Sequence, residues 1–214
     1  MHSCPLCHQP DSEYYFEDQY RVYLQCVQCE LVFVQTSDRL DAQSEKSFYD
    51  LHENDPSDER YRGFLSRVCD PMLAKLAANS YGLDFGCGPG PLLAEMFKEV
   101  GFEMACFDLF YANEPEVLNK TYDFITCTEV IEHLSQPGEV LEKLLSLLEA
   151  GGPLVLMTKL IIDQNRFAQW HYLFVADNLP RSDWHAKTRA IRLRVALRQQ
   201  QRLAAIACAR HWRS

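Results

Sequence analysis

Four of the nine cysteines in this 214-residue chain have a spacing that suits a metal ion. Cys4 and Cys7 form one C-x2-C pair, and Cys26 and Cys29 form a second. Each pair can make a tight knuckle with two thiolates on one side, and two knuckles complete a tetrahedral Zn2+ site. The aromatic and branched residues between the pairs suit a small β-ribbon that is too small to fold without metal. We therefore predict a structural zinc-ribbon-like module over residues 1–36.

A redox C-x-x-C pair is the alternative reading of these cysteines. It is weaker, because two matched pairs occur together and neither follows the first strand of a βαβ unit. The other five cysteines have no pairing pattern in the sequence, and most of them suit small core positions.

A glycine-rich stretch is the second candidate for chemistry. An apolar run ends in Asp84, and Gly86, Gly88 and Gly90 follow at alternate positions before a helical pattern begins. Glycine is needed where the backbone turns sharply and approaches a ligand. A strand, such a loop and a helix together make a nucleotide-type pocket at the carboxyl edge of a parallel sheet. The dinucleotide spacing G-x-G-x-x-G fails here, because proline occupies its third position, and no Gly-Lys-Ser/Thr follows as a P-loop requires.

The pattern that remains, acidic-x-G-x-G-x-G, resembles motif I of the class I S-adenosylmethionine (SAM) methyltransferases. Later segments follow in the order of that family: a strand ending in aspartate, a strand leading into Val-Ile-Glu-His-Leu, a helix stopped by Gly-Gly and a further buried strand. They occupy residues 103–108, 122–134, 137–152 and 153–158. The resemblance covers residues 60–172 and implies an α/β fold with a Rossmann-like sheet over residues 81–172.

The resemblance also implies a cofactor site. The glycine loop would lie against the methionine end of SAM, and the carboxylate at the tip of the second strand would accept hydrogen bonds from the ribose hydroxyls. The predicted cofactor-binding residues are Asp84, Gly86, Cys87, Gly88, Gly90, Asp108, Thr128 and Glu129.

Glu129, Glu132 and His133 are spaced to converge on one helical turn at the carboxyl edge of the sheet. We predict that His133 is the general base, with Glu132 beside it, because an unperturbed imidazole titrates near neutral pH. The E-x-x-E-H pattern also resembles a Mg2+-binding stretch in small-RNA 2′-O-methyltransferases and ubiquinone-pathway O-methyltransferases, so Mg2+ is an alternative role. A third reading is that these two residues only cap and orient the turn.

Two further segments lie outside the predicted strands of the sheet. Residues 37–80 read as a linker and a helical lead-in, with a break near Asp70-Pro71. In the resembling family this region often covers the cofactor, so Tyr49 and Tyr61 are lid candidates, although plain packing is favoured for both. Residues 109–121 are too few for the usual further helix and strand, so we assign no carboxylate to the adenine.

The C-terminal end of the chain differs in net charge from the rest. Residues 1–180 carry 12 basic and 29 acidic residues, a balance of −17, whereas residues 181–214 carry 9 basic residues and one acid, a balance of +8. The resemblance ends near Tyr172, and no final pair of strands is recognisable. We predict an atypical basic tail over 173–214, either an amphipathic helix or the product of a frameshift, which leaves the roles of Trp170 and His171 open.

These features favour a SAM-dependent methyltransferase that acts on a small molecule. The alternatives are a binding or scaffold protein that keeps the SAM fold but is impaired in catalysis, and an RNA methyltransferase. Nucleic acid is the less favoured partner, because a body with 17 net negative charges repels phosphate. With no apolar run long enough to span a bilayer and no export signal, we expect a cytoplasmic protein. The methyl acceptor and the oligomeric state stay open.

Overall fold

The protein is described from a computed structural model, which places residues 3–35, 46, 50, 58–158, 161 and 163–168. These residues fall into two compact units. The first unit contains the described residues of 1–52, 131–141 and 158–198, and the second contains those of 53–130 and 142–157. Tyr49, Trp170, His171 and the predicted tail 173–214 lie outside the described residues.

The first unit is built on a three-stranded antiparallel sheet. Its strands β1 (Ser12–Glu17), β2 (Val22–Cys26) and β3 (Val32–Val34) are ordered β1-β2-β3. The sequence predicted a β-ribbon here, and the short third strand is an addition to it. A small apolar cluster covers the sheet, in which Phe167 of the helix Gln164–Ala168 packs edge-on against aromatic rings of the strands. Its buried members are Tyr23, Val32, Val34, Ile161 and Phe167.

The second unit contains a four-stranded parallel sheet. Strands β4 (Tyr81–Phe85), β5 (Glu103–Phe107), β6 (Phe124–Thr128) and β7 (Leu154–Met157) are ordered β5-β4-β6-β7. Together with its helices this sheet is the predicted α/β, Rossmann-like arrangement. Because the strands are parallel, the loops that follow all four leave from the same edge, and the loop after β4 is the glycine-rich stretch.

Helices α1 (Glu59–Leu73) and α2 (Leu92–Glu99) pack against this sheet, and α3 (Pro137–Ser146) connects β6 to β7 along the chain. The core between the sheet and the first two helices has Leu65, Val68, Met72, Phe97 and Phe124 at its centre. Burial of these apolar side chains stabilises the sheet.

Two details of the second unit bear on the predictions. Helix α1 continues through Asp70 and Pro71 to Leu73, so the predicted break is wrong. Pro71 lies in the last turn, close to the point where the helix ends in any case. Between β5 and β6 the chain forms only a 3-10 helix, Pro115–Asn119, which agrees with the expectation that the interval is too short for a helix and a strand. No helix in the described part of the chain has the length and apolar character needed to cross a membrane.

Candidate active site and metal centre

The four cysteines of the two C-x2-C pairs come together in the first unit. In each pair the residue after the second cysteine adopts a left-handed backbone conformation, with φ of 60° at His8 and 61° at Glu30. The backbone N–H of each of these residues donates to the carbonyl of the first cysteine of its pair, at 2.9 Å in both cases. The two pairs therefore form the same tight turn twice, and each turn presents its sulfurs to one side.

The geometry of the sulfurs fits a tetrahedral ion. The Sγ atoms of Cys4 and Cys29 are 3.5 Å apart, as are those of Cys7 and Cys26. All four Sγ atoms lie within 4.8 Å of one another. Zinc–sulfur bonds of about 2.3 Å in a tetrahedron require sulfur separations of about 3.8 Å. The two separations of 3.5 Å are near this value, and all four sulfurs are close enough to bind one ion.

Without an ion, the sulfurs are not all stabilised as thiolates: the hydrogen bond between Cys4 and Cys29 lowers the pKa of Cys4 to about 5. The hydrogen bond with Cys4 raises the pKa of Cys29, and burial raises it further. Burial likewise raises the pKa of Cys7 to about 11. A divalent cation removes this cost, because it neutralises the thiolates that the fold has gathered.

The glycine loop lies at the carboxyl end of β4. Gly86 and Gly88 have φ of 77° and 66°, the left-handed region that favours glycine. A Cβ atom added to Gly86 would also collide with the side chain of Val130. Backbone N–H groups of Gly86 and Cys87 donate to the carbonyl of Phe107, at 2.7 and 3.3 Å, which attaches the loop to the end of β5. The loop thus exposes bare backbone in a fixed position, as a site for a nucleotide-type ligand requires.

Asp108 is a structural link as well as a candidate ligand. Its Oδ2 accepts a hydrogen bond from the backbone of Gly88 at 3.0 Å, and its Oδ1 accepts from Phe110 and Tyr111 at 2.8 and 3.2 Å. A carboxylate has about four acceptor positions, so three are used and about one is left for a ribose hydroxyl. The carboxylate is therefore held in place before any ligand arrives, and it has less spare capacity than the sequence suggested.

Asp84 lies below the loop and is almost completely buried. Its Oδ1 accepts a hydrogen bond from the Thr126 hydroxyl at 2.8 Å. Burial raises the pKa of Asp84 to about 6, against the lowering effect of Thr126, and the nearby Asp108 adds to the rise. The Asp84 carboxylate is therefore shielded from solvent at the end of β4, just before the glycine loop.

Two other predicted cofactor residues lie at the carboxyl end of β6. Thr128 ends the strand, and Glu129 is exposed with a φ of 54°, an uncommon conformation for a residue with a side chain. The backbone N–H of Glu129 donates to Met157 at 2.7 Å, which holds the bend in place. Strained residues of this kind are often found at binding sites.

Tyr61 of α1 belongs to the same environment. Burial raises its pKa to about 12, and the carboxylates of Asp84 and Glu129 and the Cys87 thiol contribute to the rise. Its hydroxyl is therefore a protonated hydrogen-bond donor at neutral pH, among acidic groups. The sequence had favoured plain packing for this residue. Its ring does stack against Phe64, at 6.4 Å between centroids, so Tyr61 both packs and reaches the site.

The predicted catalytic residues are in the first unit. Glu132 and His133 form a short 3-10 turn, Ile131–His133, in which Glu132 is buried and His133 is half-buried. Five residues later, Gly138 donates its backbone N–H to Pro5 at 3.1 Å. A Cβ atom on Gly138 would lie 2.5 Å from the carbonyl oxygen of Leu6. The first cysteine knuckle therefore packs against the segment that carries Glu132 and His133.

The predicted Mg2+ has no matching ligand cluster. Across residues 3–35, 46, 50, 58–158, 161 and 163–168, the four cysteines are the one group of three or more potential ligands that could hold a metal ion.

Sequence reasoning did not assign a role to Thr126 or Cys106. Both lie on strands beside β4, where Cys106 pairs in register with Asp84 and Thr126 does so on the other side. An isolated threonine or cysteine inside an apolar strand gives no motif. The register of the parallel strands places both residues next to Asp84, and this register cannot be read from the sequence.

The fold and the loop define a class: an α/β domain that binds a nucleotide-type ligand at the carboxyl edge of a parallel sheet. Residues 57–199, about two thirds of the chain, match a family model described as a methyltransferase domain. The chain belongs to this methyltransferase-domain family, which confirms the resemblance seen in its motifs.

Two individual proteins are similar to parts of the chain. A ubiquinone biosynthesis O-methyltransferase of Colwellia psychrerythraea is 30% identical over 110 residues, which cover 51% of this chain and 42% of that protein. The chain thus spans less than half of the length of this curated relative. The crystal structure of coclaurine N-methyltransferase bound to N-methylheliamine and SAH shares 16% identity, with a TM-score of 0.40, over 68% of this chain and 51% of that one.

Proposed function

We propose that this protein is a SAM-dependent methyltransferase that methylates a hydroxyl oxygen of a small molecule. The observation that carries the proposal is the glycine loop after β4, with two left-handed glycines and a backbone bond to Asp108, in a chain of the methyltransferase-domain family. The preference for an oxygen acceptor is supported by the similarity to an O-methyltransferase.

SAM carries its methyl group on a positively charged sulfur, so the group is already activated for transfer. The protein must bind SAM, orient the acceptor and remove a proton. The predicted cofactor set suits a cationic nucleoside. Gly86 and Gly88 offer bare backbone, Asp108 keeps an acceptor position for a ribose hydroxyl, and Asp84 and Glu129 add negative charge.

His133 is the proposed general base, with Glu132 as its neighbour in the turn. An imidazole accepts a proton near neutral pH, and a hydroxyl acceptor must lose its proton on methylation. A purely capping role for these two residues is the competing reading.

For the first unit we propose a closed structural Zn2+ site formed by Cys4, Cys7, Cys26 and Cys29. Four thiolates leave no open coordination position, so the ion would stabilise the ribbon and take no part in methyl transfer. Because Gly138 packs against the first knuckle, the ion would also support the segment of His133.

The proposal is tested with tritiated-methyl SAM and two matched panels of small molecules, one of phenols and alcohols and one of amines. Label is expected in the hydroxyl panel. Transfer to the amines alone would contradict the oxygen preference, and SAM binding by calorimetry without transfer to either panel or to a cell extract would favour the scaffold alternative.

The variant His133→Asn tests whether His133 acts as the general base. It keeps a polar side chain but cannot act as a base near neutral pH, so turnover should fall about 100-fold or more while the Kd for SAM is unchanged. Full turnover of this variant would leave His133 with only the capping role.

A further inference from the structure

Arg21 is a buried charged residue that has no role in either of the two proposed sites. It is 3% exposed and lies in the first unit, directly before β2. The Nε and Nη1 atoms of its guanidinium are buried and have no hydrogen-bond partner in the part of the chain that the structure describes. No ion pair between described residues includes Arg21. Because an arginine keeps its charge in a protein, the described residues leave a buried cation without a counter-charge.

Asp18, the acidic residue nearest to Arg21 in the sequence, is engaged by the backbone of the same turn. Its Oδ1 accepts hydrogen bonds from the backbone N–H groups of Tyr20 and Arg21, both at 2.7 Å. Its Oδ2 accepts a hydrogen bond from the Tyr23 hydroxyl at 3.0 Å. Asp18 therefore fixes the turn, and it forms no ion pair with the guanidinium.

The guanidinium lies against an aromatic ring of the first unit. Arg21 and Tyr23 are two residues apart, the spacing that places side chains on one face of a strand, and the Arg21 Cζ lies 5.8 Å from the centre of the Tyr23 ring. The Tyr23 ring packs edge-on against Phe167 at 5.0 Å, within the small apolar cluster. Contact with one ring recovers only part of the cost of removing a cation from water. The N–H donors of Arg21 therefore still require an acceptor that carries negative charge.

We propose that Arg21 binds the carboxylate group of a small ligand, at a site in the first unit that does not involve the four cysteines. Guanidinium N–H groups bind carboxylate oxygens strongly, and one guanidinium balances one negative charge. A phosphate group carries about 1.5 to 2 negative charges at neutral pH, so a single arginine does not balance it. A water molecule accepts a hydrogen bond but balances no charge. The neighbouring rings of Tyr23 and Phe167 suit a ligand with an apolar body.

The test uses benzoate as the probe and benzamide as its uncharged equivalent. Each is added at constant ionic strength to the full chain purified with zinc, and hydrogen exchange of residues 12–34 is measured. A ligand that binds only the folded unit slows this exchange by the factor 1 + [L]/Kd. With a Kd of about 1 mM, within the range for so small a ligand, about 10 mM benzoate should slow the exchange about tenfold. Benzamide should have no effect, and inorganic phosphate should have a smaller effect than benzoate.

The variant Arg21→Met removes the charge and keeps a long side chain. It should bind benzoate at least about tenfold more weakly, because the charged hydrogen bonds are lost. Without benzoate, its residues 12–34 should exchange more slowly than those of wild type, since the unbalanced charge is gone. Arg67→Met is the matched control, because Arg67 is exposed on α1 and makes the same kind of ring contact, 5.4 Å from the centre of Phe64. This variant has the same change in net charge and should respond to benzoate as wild type does.

Four results would overturn the proposal. The first is no slowing by benzoate in wild type, which is also expected if a carboxylate of this chain from outside the described residues already binds the guanidinium. The others are equal slowing by benzamide, a larger effect of phosphate than of benzoate, and an equal benzoate response in Arg21→Met and wild type. The wild-type measurements do not depend on the folding of any variant. None of them uses SAM, so failure of the proposed methyltransferase function would leave this test unchanged.

Discussion

The four-cysteine cluster and the glycine loop are two sites that this chain builds in opposite ways. The cluster draws its ligands from two short turns with the same backbone geometry, and its supporting core has five buried residues. The glycine loop stands on a parallel sheet with helices packed against it and is held by backbone bonds to β5. On our proposal the first site needs its ion in order to be stable, whereas the glycine loop is held in place by the sheet itself.

The charges of the two sites show the same difference. In the cluster, the hydrogen bond with Cys4 raises the pKa of Cys29 and burial raises the pKa of Cys7, a cost that a bound cation would remove. At the glycine loop, the Asp108 carboxylate is already stabilised by three backbone N–H groups. A fold can therefore keep a charged site ready only when it supplies hydrogen bonds to each charge.

The largest expected effect is the loss of the metal. Cys29→Ser, or a strong chelator, should reduce the zinc content from about one ion per chain to near zero and abolish hydrogen-exchange protection of residues 12–34, because binding of such an ion supplies about 10 kcal/mol or more of folding free energy. The strands β4 to β7 should keep their protection. Cys69→Ser is the control and should retain zinc. Full protection of 12–34 after chelation would show that the ribbon does not depend on metal.

Removal of the Asp108 charge should have the next largest effect. In Asp108→Asn, one amide position no longer accepts the Gly88 N–H and the ribose contact is weakened, so the Kd for SAM should rise about 30- to 100-fold. Asp70→Asn, an exposed position on α1, makes the same chemical change away from the site and should leave the Kd unaltered. Calorimetry with both variants measures the Kd for SAM and checks this prediction. Equal affinities would remove Asp108 from the cofactor site.

Asp84 should make the second unit sensitive to pH. Its pKa rises on folding from 3.8 to about 6, so the protonated form is favoured by folding and this stabilisation is lost as the pH rises through 6. Asp84→Asn keeps an acceptor for Thr126 without the buried charge. Relative to wild type, it should gain about 2 kcal/mol in free energy of unfolding between pH 4.5 and 7.5. Urea unfolding of both proteins at the two pH values checks this, and a difference that does not change with pH would contradict the buried charge.

Two glycine substitutions should give the smallest changes in stability, one a decrease and the other an increase. Gly138→Ala places a Cβ 2.5 Å from Leu6, so it should destabilise the first unit by roughly 1 to 2 kcal/mol. Gly63→Ala has no atom within 4 Å and lies inside α1, so it should stabilise the second unit by about 0.5 to 1 kcal/mol. Thermal unfolding measures both. A stabilising Gly138→Ala would mean that the knuckle does not pack closely on this segment.

Much of the fold could be predicted from the sequence. The four strands of the parallel sheet lie where their apolar runs place them, and the interval between β5 and β6 is too brief for a further helix and strand, as predicted. The predicted break at Pro71 was wrong, because one proline in the last turn of α1 removes a single hydrogen bond that packing of the helix outweighs. The role of Tyr61 was undervalued, since only the packing of α1 brings its hydroxyl near Asp84 and Glu129.

The sequence by itself determined the parts of each site that are close together in the chain: the cysteine pairs, the order of the three glycines and the acidic ends of the strands. Spacing is enough for these, because a turn of a few residues has few conformations available. Only the tertiary structure decided that Thr126 supports Asp84 and that the backbone N–H of Gly88 donates to Asp108. These contacts join residues about 20 to 40 positions apart, and they depend on the register of parallel strands, which local sequence does not encode.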